Sequence, residues 1–240
     1  MRLTPDVPAW RDEEYGVTHT LELGIPGLRM AEGDHICAFH RGPAERDEIL
    51  IPYLQAGLRT GDKCICVVDA VEPREVLVAL GSETEVNWWI RNSQLELCAS
   101  TEAYLRTGRF CTEEMLAFWE DLVGSAVNGK FSFARSVGEM TWALRQAPGV
   151  EELVGYESEL NRFLPRYPQV ILCLYDLKRF SGELVIDMLK THPRVLLGGM
   201  VLDNPYYLEP DEFLSVRSQS PIRDPVTIKN TVTTKSTALP

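Results

Sequence analysis

The sequence predicts an α/β fold, a mainly parallel sheet with helices on both faces, and three observations carry that prediction. Short apolar runs such as "HICAF", "KCICVVD" and "QVILCLYD" have the composition of buried strands. They alternate with segments whose apolar residues recur at helical spacing, which is the order of βαβ units. The chain has 240 residues, 45% hydrophobic and 25% charged, which fits one sizeable globular domain with ordinary tails.

Taken in order, "HICAF" passes through the compact loop Arg41-Gly42-Pro43-Ala44 into a helix. There Ile49, Leu50, Tyr53, Leu54, Gly57 and Leu58 share one face, and Gly61 supplies the stop. "KCICVVD" is the second strand, ending on Asp69, followed by a helix near "EPREVLVALG" and a third strand, "QLELCAS". The helix "TEEMLAFWEDLVGSAVNG" is given Thr112 as N-cap, with Glu113 and Glu114 in its first turn. "FSFARSVGEMTWAL" reads as a strand running into a turn, "VEELVGYESELNRFL" as a helix, and "QVILCLYD" as a strand ending on Asp176. The helix "SGELVIDMLKTH" and a terminal strand, "RVLLGGMVL", close the series. Residues 1–20 and 215–240 are polar and lack periodicity, so they read as flexible tails around a domain spanning 21–214.

Charge and composition exclude several functions. A net charge of −11 and a pI near 4.9 repel phosphate backbones and anionic lipid, so neither nucleic acid nor membrane is an expected partner. No secretory h-region is evident, and no apolar run reaches the roughly 18 to 20 residues that span a bilayer, so a cytoplasmic location is expected. The six cysteines are scattered and mostly inside strand-like runs, where a reduced thiol packs as a small hydrophobe.

In open α/β sheets ligands sit outside the carboxyl ends of the strands. That rule selects Phe39, His40 and Arg41 after the first strand, Asp69 after the second, Glu139 to Trp142 after the fourth, and Tyr175, Asp176 and Arg179 after the fifth. A pocket there would take Phe39, Trp142, Tyr175 and Phe180 as walls, and His40, Glu139, Asp176 and Arg179 as polar contacts. His35, Cys37, Arg41, Glu45 and Asp69 complete the expected ligand-binding set. Plain structural readings stand beside these: Trp142 as core, Arg179 as the partner of Asp176. No cofactor is expected. A metal, if held, would take His35, Cys37 and His40, since His35 and Cys37 share a strand face and Cys64 and Cys66 repeat the spacing. No CxxC knuckle is present, and alternating cysteines on a central strand are usually core packing. His192, before Pro193, reads as a helix C-terminal group favoured by the dipole. "DNPYYLEP" caps the pocket or meets a partner; the sequence does not choose.

Several separated segments, "GDHICAFHRG", "ERDEILIPYLQAGLRTGDKCICVVD", "VGEMTWAL", "ESELNRF", "ILCLYDLKRF" and "HPRVLLGGMVLDNPYYLEP", together resemble the MEDS domain, the methanogen/methylotroph DcmR sensory family. The resemblance runs from about Gly24 to Leu214. It implies a RecA- or KaiC-like three-layer core that has lost its Walker A loop, and a role in sensing small organic ligands for signal transduction or transcriptional regulation. "SVGEMTWAL" resembles the strand carrying the Walker B acid, which places Glu139 there, and Asp69 ends the strand that carries a catalytic acid in KaiC-like ATPases. No output domain follows Leu214, so a sensor of this kind acts through a separate regulatory protein, and RecA-like ancestry makes a homo-oligomer plausible.

The residues speak against ATP hydrolysis. The loop has no Gly-Lys-Ser or Gly-Lys-Thr, its only cation is Arg41, and Glu45 stands where an anion would be repelled. No GxSxG elbow is present either. The expected function is therefore small-molecule sensing without hydrolysis. The alternative is an enzyme of specialised metabolism on the same scaffold, using His35, His40 and Glu139 as acid and base groups.

Overall fold

A computed structural model describes residues 20–219. Seven strands form the main sheet in the order β5-β4-β6-β7-β3-β8-β9, all parallel except the last. They are β3 (His35–His40), β4 (Lys63–Val68), β5 (Leu95–Ala99), β6 (Ala134–Glu139), β7 (Gln169–Asp176), β8 (Arg194–Leu197) and β9 (Met200–Asp203). A small antiparallel hairpin of β1 (Thr20–Glu22) and β2 (Arg29–Ala31) precedes them. Every residue of β3, β4, β6 and β7 is buried, which is why β3, β4 and β7 read as near-continuous apolar runs rather than alternating ones, whereas β6 buries Arg135, Ser136 and Glu139.

Helices α1 (Pro43–Thr60), α2 (Pro73–Leu80) and α3 (Glu83–Arg91) cover one face. Ile49, Leu50, Tyr53, Leu54, Val76, Leu80 and Val86 pack there against Ile36, Ala38, Cys64 and Cys66. The opposite face carries α4 (Thr112–Trp119), continued by a π-helical turn (Glu120–Gly124) and α5 (Ser125–Val127), with α6 (Leu153–Phe163), α7 (Gly182–Thr191) and α8 (Pro210–Gln219). Cys37, Phe39, Cys173 and Tyr175 point into this second core. The α/β architecture expected from the sequence is thus the observed one.

Details depart from the expectation. Cys111, not Thr112, is the N-cap of α4, and the Thr112 amide donates to Glu152 Oε2 at 2.9 Å. The stretch taken as one terminal strand is a hairpin turning at Gly198 and Gly199, both at positive φ. The α3 helix, which carries Trp88 and Trp89, adds a further helix before β5; Ser82 and Glu85 form a capping box at its start. The N-terminal tail lies outside the described residues except for Thr20, and α8 continues through the expected boundary at Leu214 to Gln219. All six cysteines are free.

One buried ion pair fastens the first face. Arg135 on β6 is wholly buried, with Nε 2.6 Å from Asp62 Oδ2 and Nη1 donating to the Glu22 carbonyl at 2.8 Å. Its stem fills the space left by Gly57, where a Cβ would lie 2.6 Å from Arg135 Cδ. Arg135→Ala is expected to destabilise the fold by about 3–5 kcal/mol, because Asp62 is left as an uncompensated buried charge. Urea denaturation measures this, and Arg135→Met combined with Asp62→Leu should recover much of the loss.

Candidate functional site

The carboxyl ends of β3, β4, β6 and β7 bring together His40, Asp69, Glu139 and Asp176, with Arg46 added from α1. Glu139 ends β6 on the α1 side and is buried. Its Oε2 accepts the Asp69 and Ala70 amides, each at 2.8 Å, and its Oε1 accepts Arg46 Nη1 at 3.3 Å. Arg46, itself buried, also pairs with Asp47 at 2.8 Å. Asp69 is held by the Ser100 hydroxyl, by Thr141 Oγ1 at 3.1 Å and by Arg145 at 2.7 Å. Both acids therefore have their charge answered from within the protein.

His40 stands opposite Asp176 in the β3–β7 register. Its Nδ1 meets the Gly42 carbonyl and amide at 3.2 and 3.3 Å, while its Nε2 is buried and has no hydrogen-bond partner. In the loop between β3 and α1, Arg41 is exposed and turned back on Glu45, whose Oε2 accepts the Arg41 amide at 2.7 Å and Nε at 3.1 Å. Gly42 is the N-cap of α1 with φ 118°, and Pro43 is its first residue.

The remaining expected residues fall elsewhere. Trp142 is wholly buried between Tyr104 and Phe110, with ring centroids 4.8 and 4.7 Å away, so it packs as core. Arg179 is exposed, and its backbone amide donates to the Asp176 carbonyl at 3.0 Å. Phe39, Tyr175 and Phe180 pack together under α7. The metal trio His35, Cys37 and His40 is not assembled. His40 lies five residue steps along the strand from His35, an odd number, so the two point to opposite faces about 16 Å apart along the strand. The acid–base set His35, His40 and Glu139 is divided in the same way.

His35 instead enters a group that the sequence did not reveal. On the second face it meets Glu157 of α6, Cys173 of β7 and His192 at the end of α7. The two imidazole rings lie 4.0 Å apart, and Tyr175 donates to Glu157 Oε1 at 2.5 Å. His192 does cap its helix, through Nδ1 to the Met188 carbonyl at 2.8 Å, but its Nε2 faces Glu157. Asn204 of the "DNPYYLEP" segment donates to the His192 carbonyl at 2.7 Å and so fastens this corner. Burial, reinforced by the neighbouring His192, pushes His35 down to about 4, and burial pushes the Cys173 thiol up. A signal was present: Leu153, Tyr156, Glu157 and Leu160 share one helical stripe, and a glutamate on an apolar stripe needs a partner.

A mostly parallel sheet covered by helices on both faces makes this a three-layer α/β domain, similar in fold to KaiC-like proteins. Solved structures agree in fold: the KaiC-like protein PH0186 from Pyrococcus horikoshii OT3 gives a TM-score of 0.54 at 15% identity, over 74% of this chain and 79% of that one. The flagellar accessory protein FlaH from Methanocaldococcus jannaschii gives 0.51 at 8% identity, over 77% and 84%. Within that class the chain belongs to the MEDS family, the methanogen/methylotroph, DcmR sensory domain, which matches residues 34–193. The transcriptional repressor DcmR of Methylorubrum extorquens (strain DSM 6343 / CIP 106787 / DM4) is 32% identical over 185 residues. That alignment takes in 75% of this chain and 66% of the repressor, just under two thirds of its length. No helix among the described residues is long and apolar enough to cross a membrane.

Burial holds His40 below the ordinary histidine value, against the opposing pull of Asp176, the Gly42 carbonyl and Glu139. The folded protein therefore binds fewer protons here than the unfolded chain, and stability present at neutral pH is lost as pH falls below the unfolded value of about 6.5. The expected result is that His40→Gln flattens the fall in urea midpoint between pH 7.5 and 5.5 relative to wild type.

Proposed function

We propose that this protein senses a small organic molecule at the carboxyl edge of its sheet, without hydrolysing ATP, and passes its state to a separate regulatory protein. The observation that carries this reading is the internal pairing of the charges in the loop between β3 and α1 and at the end of β6. Arg41 is spent on Glu45, Arg46 on Glu139 and Asp47, and Glu139 on two backbone amides. A triphosphate with its magnesium needs a lysine and a hydroxyl ligand for the metal within the loop, and this loop holds neither, although Lys178, after β7, comes near Gly42 from outside it. What the edge offers is one unpartnered imidazole nitrogen, His40 Nε2, beside the carboxylate of Asp176. A compact, weakly charged ligand with one hydrogen-bonding group suits that inventory. The sensory-domain family and the repressor relative support the regulatory half of the reading.

Coupling follows from the Glu139 contacts. Its carboxylate ties the end of β6 to the turn after β4 and to α1, so a ligand that draws on Arg46 or His40 shifts three elements at once. The net charge of −11 favours a protein partner over direct contact with DNA. Native mass spectrometry of protein purified from its own host, followed by denaturation, should release an organic molecule. Rebinding of that molecule is expected to weaken at least tenfold in His40→Gln and in Glu139→Gln, with the fold retained. MgATP should give no saturable binding up to about 1 mM. Tight MgATP binding with turnover would overturn the reading.

A further inference from the structure

The group formed by His35, Glu157, Cys173 and His192 lies on the opposite face from the edge just described and is wholly sealed from water. Four electron-pair donors point at one another in it. Glu157 Oε2 is 3.3 Å from His35 Nε2, 3.4 Å from His192 Nε2 and 3.5 Å from Cys173 Sγ, and Cys173 Sγ is 3.5 Å from His35 Nε2. All the donor atoms lie within 4.8 Å of one another. A tetrahedron of nitrogen, oxygen and sulfur around zinc, with bonds of about 2.0 to 2.3 Å, has edges of roughly 3.3 to 3.6 Å. Four of the six edges already have that length.

The surroundings fix which atoms can donate an electron pair. Asn161 gives its amide hydrogens to the Thr191, Ser158 and Glu157 carbonyls, so its Oδ1, 3.1 Å from His35 Nδ1, can only accept. His35 therefore carries its proton on Nδ1. His192 Nδ1 faces the Met188 carbonyl at 2.8 Å, and the same reasoning places its proton there. Both Nε2 atoms are left with lone pairs turned inward, and His192 Nε2 makes no hydrogen bond although it is buried. Tyr175 holds the other carboxylate oxygen, Glu157 Oε1. Three ligands thus have the outer partners that orient metal-bound imidazole and carboxylate. Without a cation, two lone pairs, a carboxylate and a sulfur converge in a dry core with one thiol proton among them, an arrangement costly to bury.

We infer that His35, Glu157, Cys173 and His192 bind one divalent transition-metal ion of the zinc class in a closed, four-protein-ligand site. One thiolate and one carboxylate balance a double positive charge, which makes the occupied site neutral. The mixed nitrogen, sulfur and oxygen set suits zinc, and it disfavours magnesium and calcium, which prefer all-oxygen shells. Metal entry displaces the Cys173 thiol proton to solvent. The ion joins β3, β7, α6 and the end of α7, so its role is to hold this face together. The inference stands apart from the sensing edge and survives or fails independently of it.

The test uses the full chain, purified without a histidine tag. Elemental analysis is expected to find one zinc per chain. Exchange for Co(II) should give intense tetrahedral d–d bands and a thiolate-to-cobalt charge-transfer band. Cys173→Ser should abolish that band, and Cys37→Ser, on the adjoining strand, should keep it. Asn161→Ala and Tyr175→Phe, which alter only positioning residues, should weaken metal affinity about 10- to 100-fold. Should a ligand variant fail to fold, the wild type alone decides: its melting temperature rises on adding zinc to chelator-treated protein. Folded wild type that takes up less than a tenth of an equivalent of metal, or a charge-transfer band that survives Cys173→Ser, would overturn the inference.

Discussion

The Glu157 carboxylate has no contact with water, and the second face of the domain is organised around answering it. A buried anion is tolerated only when paired and hydrogen-bonded. Here the answers come from four places in the chain: Tyr175 and Cys173 on β7, His35 on β3 and His192 at the end of α7. Each contact fixes the position of an element as well as a charge. Helix α6 cannot slide along β7 without parting Glu157 from Tyr175, and α7 cannot end elsewhere without withdrawing His192.

The first face solves a similar problem at the other end of the strands. Glu139 is answered largely by backbone, through two amides of the turn after β4, and by one guanidinium. The contrast is in what remains. Around Glu157 the residues left over are metal-type donors in a sealed core; around Glu139 the residue left over is a single imidazole nitrogen near the sheet edge. A scaffold shared in outline with KaiC-like proteins thus holds two chemically distinct clusters, and the sheet insulates one from the other.

The central strands were legible because burial on both faces leaves no polar interruption in β3, β4 and β7. The choice of His40, Asp69, Glu139 and Asp176 was legible for a different reason: a parallel sheet sends the ends of its strands to one edge, so position along each run is enough. The cluster around Glu157 was not legible. Its members stand at 35, 157, 173 and 192, and only the β3–β7 register and the placement of α6 across them bring these positions together. The final hairpin was missed although Gly198-Gly199 is a turn signal, because apolar residues on both sides concealed the reversal. Trp142 was read as a pocket wall from its position after a strand, whereas the aromatic rings of Tyr104 and Phe110, distant in sequence, claim it for the core.

Strand β3 is where the two clusters share a backbone. It contributes His35 to one and His40 to the other, and the pleat directs them to opposite sides. Inserting or deleting a single residue between these positions would reverse the orientation of one relative to the other, turning either the first imidazole into α1 or the second into α6. No side-chain substitution elsewhere could restore both. The length of this six-residue strand is therefore as strict a requirement as its composition, whereas the loop of Arg41 and Gly42 just beyond it can vary in length without disturbing that parity.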